Sequence, residues 1–341
     1  MHDRFLQTLL NIADVRLVAS YTDAGLGFDA NTIDVFLPDM HLLSDARRQL
    51  YQYGTNYADT LLVDVVGALI QLRTDAGQEG KTVNVFHIGD YLDLWRECLL
   101  PALNPGVPDQ IKASHQKLTS LLEDDALNTG FLLGNHDFDL YQFADYDTWE
   151  RRLFIPDGAP RILVMHGDYF DWIERALPEE IRDIGVYYFG ESHEAGDALI
   201  GQMRDLTYRC NHPDYAQFIQ LQQPAVLGPL QANDEGPPAN YNLQVTGTAP
   251  AAGVQFLEKA CEECVNVNQE SGSKLRMVII GHTHHARIAT MNMPDGTPFA
   301  LVDIGAWIEN CTEAAGADPI PNAQITAISE NQVRIYQLGP K

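Results

Sequence analysis

Five short apolar runs in this chain end in the same few residue types. Residues 33–37, 83–88, 131–133, 162–165 and 277–280 are dominated by Val, Ile, Leu and Phe, as strands buried on both faces are. They lead into Asp39-Met40-His41, Gly89-Asp90-Tyr91-Leu92-Asp93, Gly134-Asn135-His136-Asp137, His166-Gly167-Asp168 and Gly281-His282-Thr283-His284. Helical spacing occupies 4–12, 57–72 and 108–122 between these strands. Strands alternating with helices predict an α/β sheet with helices outside. Polar residues just past strand ends lie where such sheets bind ligands. Further strand-like runs at 287–291, 299–304, 323–328 and 333–338 predict a second sheet packed on the first.

Each motif has its own chemistry. In extended chain, residues i and i+2 point to one side, so Asp39 and His41 can face one ion, and His282 and His284 repeat the pattern. Alone, each pair is also an ordinary surface sequence. Asp90 offers two oxygens and can bridge two cations, with Asp93 a turn later to support another group. That motif equally describes a strand-to-helix turn with a capping Asp. Asn135 offers a neutral oxygen, the adjacent His136 is free to face a substrate, and His166 adds an imidazole. Taken together, the five strand ends form an oxygen-and-imidazole donor set without cysteine. That set suits Mn, Fe, Co or Zn rather than a thiolate site, and two ions sharing a carboxylate suit in-line phosphoryl displacement.

In this order the five blocks resemble the calcineurin-like metallophosphoesterase superfamily, over residues 39–284. The resemblance implies an αββα fold, a two-sheet β-sandwich flanked by helices. It implies that Asp39, His41, Asp90 and His284 hold one divalent ion, and that Asp90, Asn135, His166 and His282 hold a second. It implies that a hydroxide bridging the metals attacks phosphorus in line, that His136 contacts the phosphate and protonates the leaving oxygen, and that Asp93 orients His136. The expected activity is hydrolysis of phosphomonoesters or phosphodiesters with two divalent ions, Mn first among them.

The stretches His166-Gly167-Asp168-Tyr169-Phe170-Asp171 and Asp303-Ile304-Gly305-Ala306-Trp307 are similar to UDP-2,3-diacylglucosamine diphosphatases and their relatives. Hydrolysis of a nucleotide-lipid pyrophosphate is therefore the alternative activity. The typical diphosphatase of that group carries Arg where this chain has His136, and a much shorter segment between the fourth and fifth motifs.

That segment defines the expected domain organisation. Residues 1–168 and 271–341 form the main domain. Residues 169–270 interrupt it as a largely helical cap, with a stretch at 223–253 dense in Pro, Gly, Asn and Ala and a helix at 254–267. Cys261 and Cys264 form a CxxC pair on that helix. With no second pair and no His at finger spacing, they read as reduced thiols. Of the other histidines, His87 reads as a satisfied core residue and His285 as a rim residue, while His2, His115, His193 and His212 read as surface.

Charge narrows the partners. With 47 acids against 22 bases, the chain carries a formal charge of −25. Such a surface repels nucleic acid and anionic lipid. A small phosphate ester is the expected substrate, drawn in by bound cations. No transmembrane run is present, and residues 1–10 lack the apolar core of a signal peptide, so a cytoplasmic location is expected.

Overall fold

The structure, a computed structural model, describes residues 1–46, 48, 59–97, 106–137, 140, 143–170, 244–247, 254–308 and 322–341. Within them the chain forms helix α1 (His2–Ile12), strands β1 (Asp14–Thr22) and β2 (Thr32–Leu37), helix α2 (Leu61–Gln78), strand β3 (Thr82–Ile88), and helices α3 (Val107–Ser114) and α4 (Gln116–Leu122). Strands β4 (Gly130–Leu132), β5 (Arg152–Ile155), β6 (Ile162–Met165) and β7 (Gln244–Gly247) follow, then helix α5 (Val254–Ser271). Strands β8 (Met277–Ile280), β9 (Ala286–Asn292), β10 (Pro298–Ile304), β11 (Gln324–Ser329) and β12 (Gln332–Gly339) complete it.

The strands build two mixed six-stranded sheets, ordered β1-β12-β11-β2-β3-β4 and β5-β6-β8-β10-β9-β7. Between them Phe36, Ile88, Leu132 and Ile328 of the first sheet meet Ile162, Val164, Ile279 and Val302 of the second. The outer face of the first sheet is covered by Phe5 and Leu9 of α1, Val65 and Leu69 of α2, Ile111 of α3 and Leu118 of α4. Leu257, Ala260, Cys261 and Cys264 of α5 cover Leu163, Val278 and Ile280 on the outer face of the second. Every residue of β6 and β8 is therefore buried, which is why these strands read as apolar runs rather than alternations. Burying one such Ile or Leu contributes about 1.5–3 kcal/mol.

Each sheet contains three adjacent parallel strands: β2, β3 and the edge strand β4 in one, β6, β8 and β10 in the middle of the other. Their carboxyl ends share one rim, where Asp39 pairs with Ala306 across the two sheets. All five motifs lie just past those ends.

Two local expectations change. The helix expected at 108–122 is broken at His115, which has φ −126° and ψ 36° and closes α3 while opening α4. At the break the His115 side chain is buried rather than on the surface. Its Nε2 lies 2.9 Å from the Leu43 carbonyl and its Nδ1 3.1 Å from Asp59 Oδ1. His2 is buried as well, its ring bonded to the Tyr336 hydroxyl.

Of the expected cap, residues 171–243 and 248–253 lie outside the described residues, as do His193 and His212. Its last portion belongs to the sandwich: β7 pairs with β9 at the edge of the second sheet, and α5 packs on that sheet. Among the described residues no helix is long and apolar enough to cross a membrane.

Candidate metal centre

Asp39 follows β2, and its carboxylate is fully buried. Oδ2 accepts a hydrogen bond from the His282 N–H at 2.8 Å and lies 3.3 Å from His284 Nε2. Oδ1 is buried without a hydrogen-bond partner. Asp90 follows β3, and its Oδ1 accepts from the His136 N–H at 2.8 Å. Its Oδ2 stands 3.3 Å from His41 Nε2 and 3.1 Å from His166 Nε2. His166 Nε2 in turn lies 3.0 Å from Asn135 Oδ1. His41 Nε2 and His284 Nε2 face each other at 3.1 Å.

These separations divide the donors into overlapping groups. Asp39, His41 and His284 form one, Asp90, His166 and His282 another, and His41, Asp90 and His136 a third, all within 4.8 Å inside each group. Donors around one divalent ion at about 2.1 Å lie about 3 Å apart, the spacing seen here. The donor chemistry fits as well: imidazole nitrogens, carboxylate oxygens and an amide oxygen, with Asp39 Oδ1 free of hydrogen bonds among the described residues. Buried His/Asp groups that could hold metal ions are thus present, and Asp90 belongs to two of them.

Backbone strain accompanies the site. His41, Asp90, His282 and His284 have φ of 45°, 54°, 63° and 59°. For non-glycine residues that costs on the order of 1 kcal/mol each and clusters at functional sites. These kinks replace the extended geometry expected for the Asp39/His41 and His282/His284 pairs. As a result His282 and His284 face different groups instead of sharing one, because left-handed turns flank Thr283. The Thr283 hydroxyl donates to Asp303 Oδ2, and Arg287 lies against the same oxygen at 3.2 Å. Burial pushes Asp303 up to about 7, against the opposing pull of Arg287 and Thr283.

Supporting hydrogen bonds fix the rings. His166 Nδ1 donates to the Ile88 carbonyl at 3.1 Å, which leaves Nε2 for the site. Asp93 holds two histidines: Oδ2 lies 3.1 Å from His41 Nδ1 and Oδ1 2.8 Å from His136 Nδ1. The sequence suggested only the second of these. Asp137, not singled out from the sequence as a ligand or catalyst, accepts from the Gly134 N–H and the Tyr91 N–H, each at 2.7 Å, and so staples two of the motif loops. Burial and the Asp90 carboxylate push it up to about 7. His285 is half-buried beside the pair it follows.

The electrostatics call for positive charge. Burial alone would lower His166, but the Asp90 and Asp39 carboxylates raise it to about 10. Burial would likewise raise Asp90, yet the surrounding His166, His136 and His41 hold it well below the usual carboxylate range. His41 is driven down to about 4, chiefly by burial. His87 is buried as expected, but neither ring nitrogen has a hydrogen-bond partner among the described residues. It packs against Tyr91 and Phe131, and burial takes it down to about 3, so it serves as a neutral core residue.

Cys261 and Cys264 are free and buried, with both thiols raised by burial. Compared with models of protein families, the chain matches none. No curated protein matches it either.

Proposed function

We propose that this chain is a metal-dependent hydrolase of phosphate esters, monoesters or diesters, built on the plan of the calcineurin-like metallophosphoesterases. One observation carries the reading: Asp90 Oδ2 lies about equally far from His41 Nε2 and His166 Nε2, at 3.3 and 3.1 Å. A carboxylate oxygen between two sets of donors is the arrangement a two-ion centre needs. Asp39, His41, Asp90 and His284 would hold one ion, and Asp90, Asn135, His166 and His282 the other. When bound, two divalent cations, Mn foremost and Fe, Zn or Co by the same donor chemistry, supply an acidified water as nucleophile and positive charge against the phosphoryl oxygens.

The chain's own residues do the rest. Asp93 Oδ1 accepts the Nδ1 proton of His136 at 2.8 Å. That orients the ring, and in its imidazolium form His136 carries a second proton on Nε2, from which it passes to the departing oxygen. Water adds across the P–O bond: phosphorus gains the hydroxyl, the leaving oxygen takes a proton from His136, and the proton that the water gives up restores the one His136 has lost. The buried walls of the site, with Asp39, Asp90 and His41 all essentially inaccessible, keep these charges in a low dielectric where they act strongly. The −25 formal charge favours small esters over nucleic acid.

Mn-loaded protein assayed against phosphomonoesters, phosphodiesters, nucleotides and UDP-sugar lipids tests the reading; no hydrolysis of any of them would sink it. Within that assay, His136→Ala should lower kcat by about 10²–10⁴-fold on alkyl esters. The loss should be smaller on a p-nitrophenyl ester, whose leaving group needs no proton. Equal losses on both would remove His136 from the acid role.

A further inference from the structure

The two ligands Asn135 and His166 come from different sheets. Asn135 follows β4 at the edge of the first, and His166 follows β6 beside the edge of the second. Their 3.0 Å approach therefore depends on how the two sheet edges register. Arg151 stands at that junction. The preceding residue pairs with β4: the Leu133 N–H donates to the Glu150 carbonyl at 2.8 Å and the Glu150 N–H to Phe131 at 3.3 Å. The following residue, Arg152, opens β5 and pairs with Met165 of β6.

The Arg151 side chain is 13% exposed and reaches both motif loops. Nη1 donates to the Leu133 and Gly134 carbonyls at 2.8 and 2.9 Å. Nη2 donates to Asp168 Oδ2 at 2.7 Å. The Gly134 carbonyl belongs to the peptide that carries the Asn135 nitrogen, so holding it sets the direction from which Asn135 leaves the backbone. Asp168 is two residues past His166, across Gly167, whose φ of 111° makes that turn. The Asp168 side chain is 4% exposed, and its carboxyl is held below the usual carboxylate range, with burial opposed first by Arg151.

We infer that Arg151 is a positioning residue for one ion of the pair, fixing Asn135 and His166 at their mutual distance, and not for the other. The ion held by Asp39, His41 and His284 draws on none of the three atoms that Arg151 holds. A guanidinium is required because three acceptors in two directions are met by one planar fork, which the point charge of Lys does not reproduce. The inference rests on the two-ion reading above.

Titration of metal-free protein with Mn(II), followed by calorimetry and by electron paramagnetic resonance, separates the possibilities. Wild type should take up two ions. Arg151→Met should keep one at an affinity within about threefold and weaken the other by about 10–100-fold, the range for lost supporting contacts around a ligand. Arg151→Lys should recover part of that loss. Adding His282→Ala to the Met variant should weaken further only the ion already weakened, whereas adding His284→Ala should weaken the one that Arg151→Met spares. Asp168→Asn, which keeps shape and removes the charge, should repeat the selective loss should the Met variant fail to fold. Equal weakening of both ions, or of neither, in variants with wild-type circular dichroism overturns the inference and leaves the two-ion reading standing. Uptake of fewer than two ions by wild type overturns both.

Discussion

At the scale of single residues, the site shows how position overrides type. Asp34 and Asp39 lie on and just after the same strand and are both nearly inaccessible, yet burial dominates one and histidines the other. Asp34 is raised to about 6 by burial, with only the Asn84 amide, 2.7 Å away, opposing it among neighbours. Asp39 is lowered, because His166 and His284 outweigh its burial. The Asp34 shift has a consequence for stability. Its folded value lies above the usual 3.8, so the folded chain holds the extra proton between about pH 4 and 6. The contribution of this group to stability therefore falls as pH rises through that window and is flat above it. Asp34→Asn keeps the bond to Asn84 without the charge. It should be more stable than wild type at pH 7.5, by at most about 3 kcal/mol, and no more stable at pH 4. Thermal melts at the two pH values check this; an equal difference at both would exclude the protonation account.

At the scale of elements, the loops past the strands are held by close approaches that leave no room for a side chain. A Cβ on Gly281 would fall on Asp39 Oδ1, and one on Gly134 would fall on Asp90 Oδ1. Gly281→Ala should therefore displace Asp39 and lower metal affinity and turnover together. The β8 core behind it should stay folded, which circular dichroism and metal titration together would show. The sequence made these glycines visible, since each sits beside a ligand, but not what each one faces. The same limit applies to the chain between the fourth and fifth motifs. Because Gln244–Gly247 forms an edge strand on β9, shortening the segment within 223–243 should leave metal binding intact. Its effect on selectivity among larger esters is the test of a cap that governs substrate choice. Removing 244–247 as well should lower the melting temperature by several degrees, because β9 loses one of its two partners. If both deletions melt alike, β7 contributes nothing to the sheet.

At the scale of the whole molecule, the centre sits where two sheets meet, and its buried carboxylates and histidines carry charge that a cation would balance. Ions that bind only the folded chain stabilise it by about 2.7 kcal/mol at a concentration a hundredfold above Kd. Adding Mn(II) to metal-free protein should raise the melting temperature, and a chelator should reverse the rise; no shift at saturating metal would contradict a cation at this site. What the sequence determined by itself was local. Apolar runs such as 162–165 and 277–280 read as buried strands, and the polar residues after them fall where α/β sheets bind ligands. The resemblance of their order to the metallophosphoesterase motifs implied the donors Asp39, His41, Asp90, Asn135, His166, His282 and His284. The tertiary structure decided everything that depends on distance between segments. Asp90 lies between His41 and His166 because β2, β3 and β6 end on one rim. Asp93 serves His41 as well as His136 because those two rings meet edge to face, their centres 4.5 Å apart. His2 and His115, polar in a polar context, are buried because distant partners, Tyr336 and the Leu43 carbonyl, satisfy them. Arg151, one of two adjacent arginines at the start of β5, carries no motif to mark it. Periodicity and turn chemistry act over a few residues and are written in the chain; hydrogen bonds between loops of different sheets exist only once the sheets have packed.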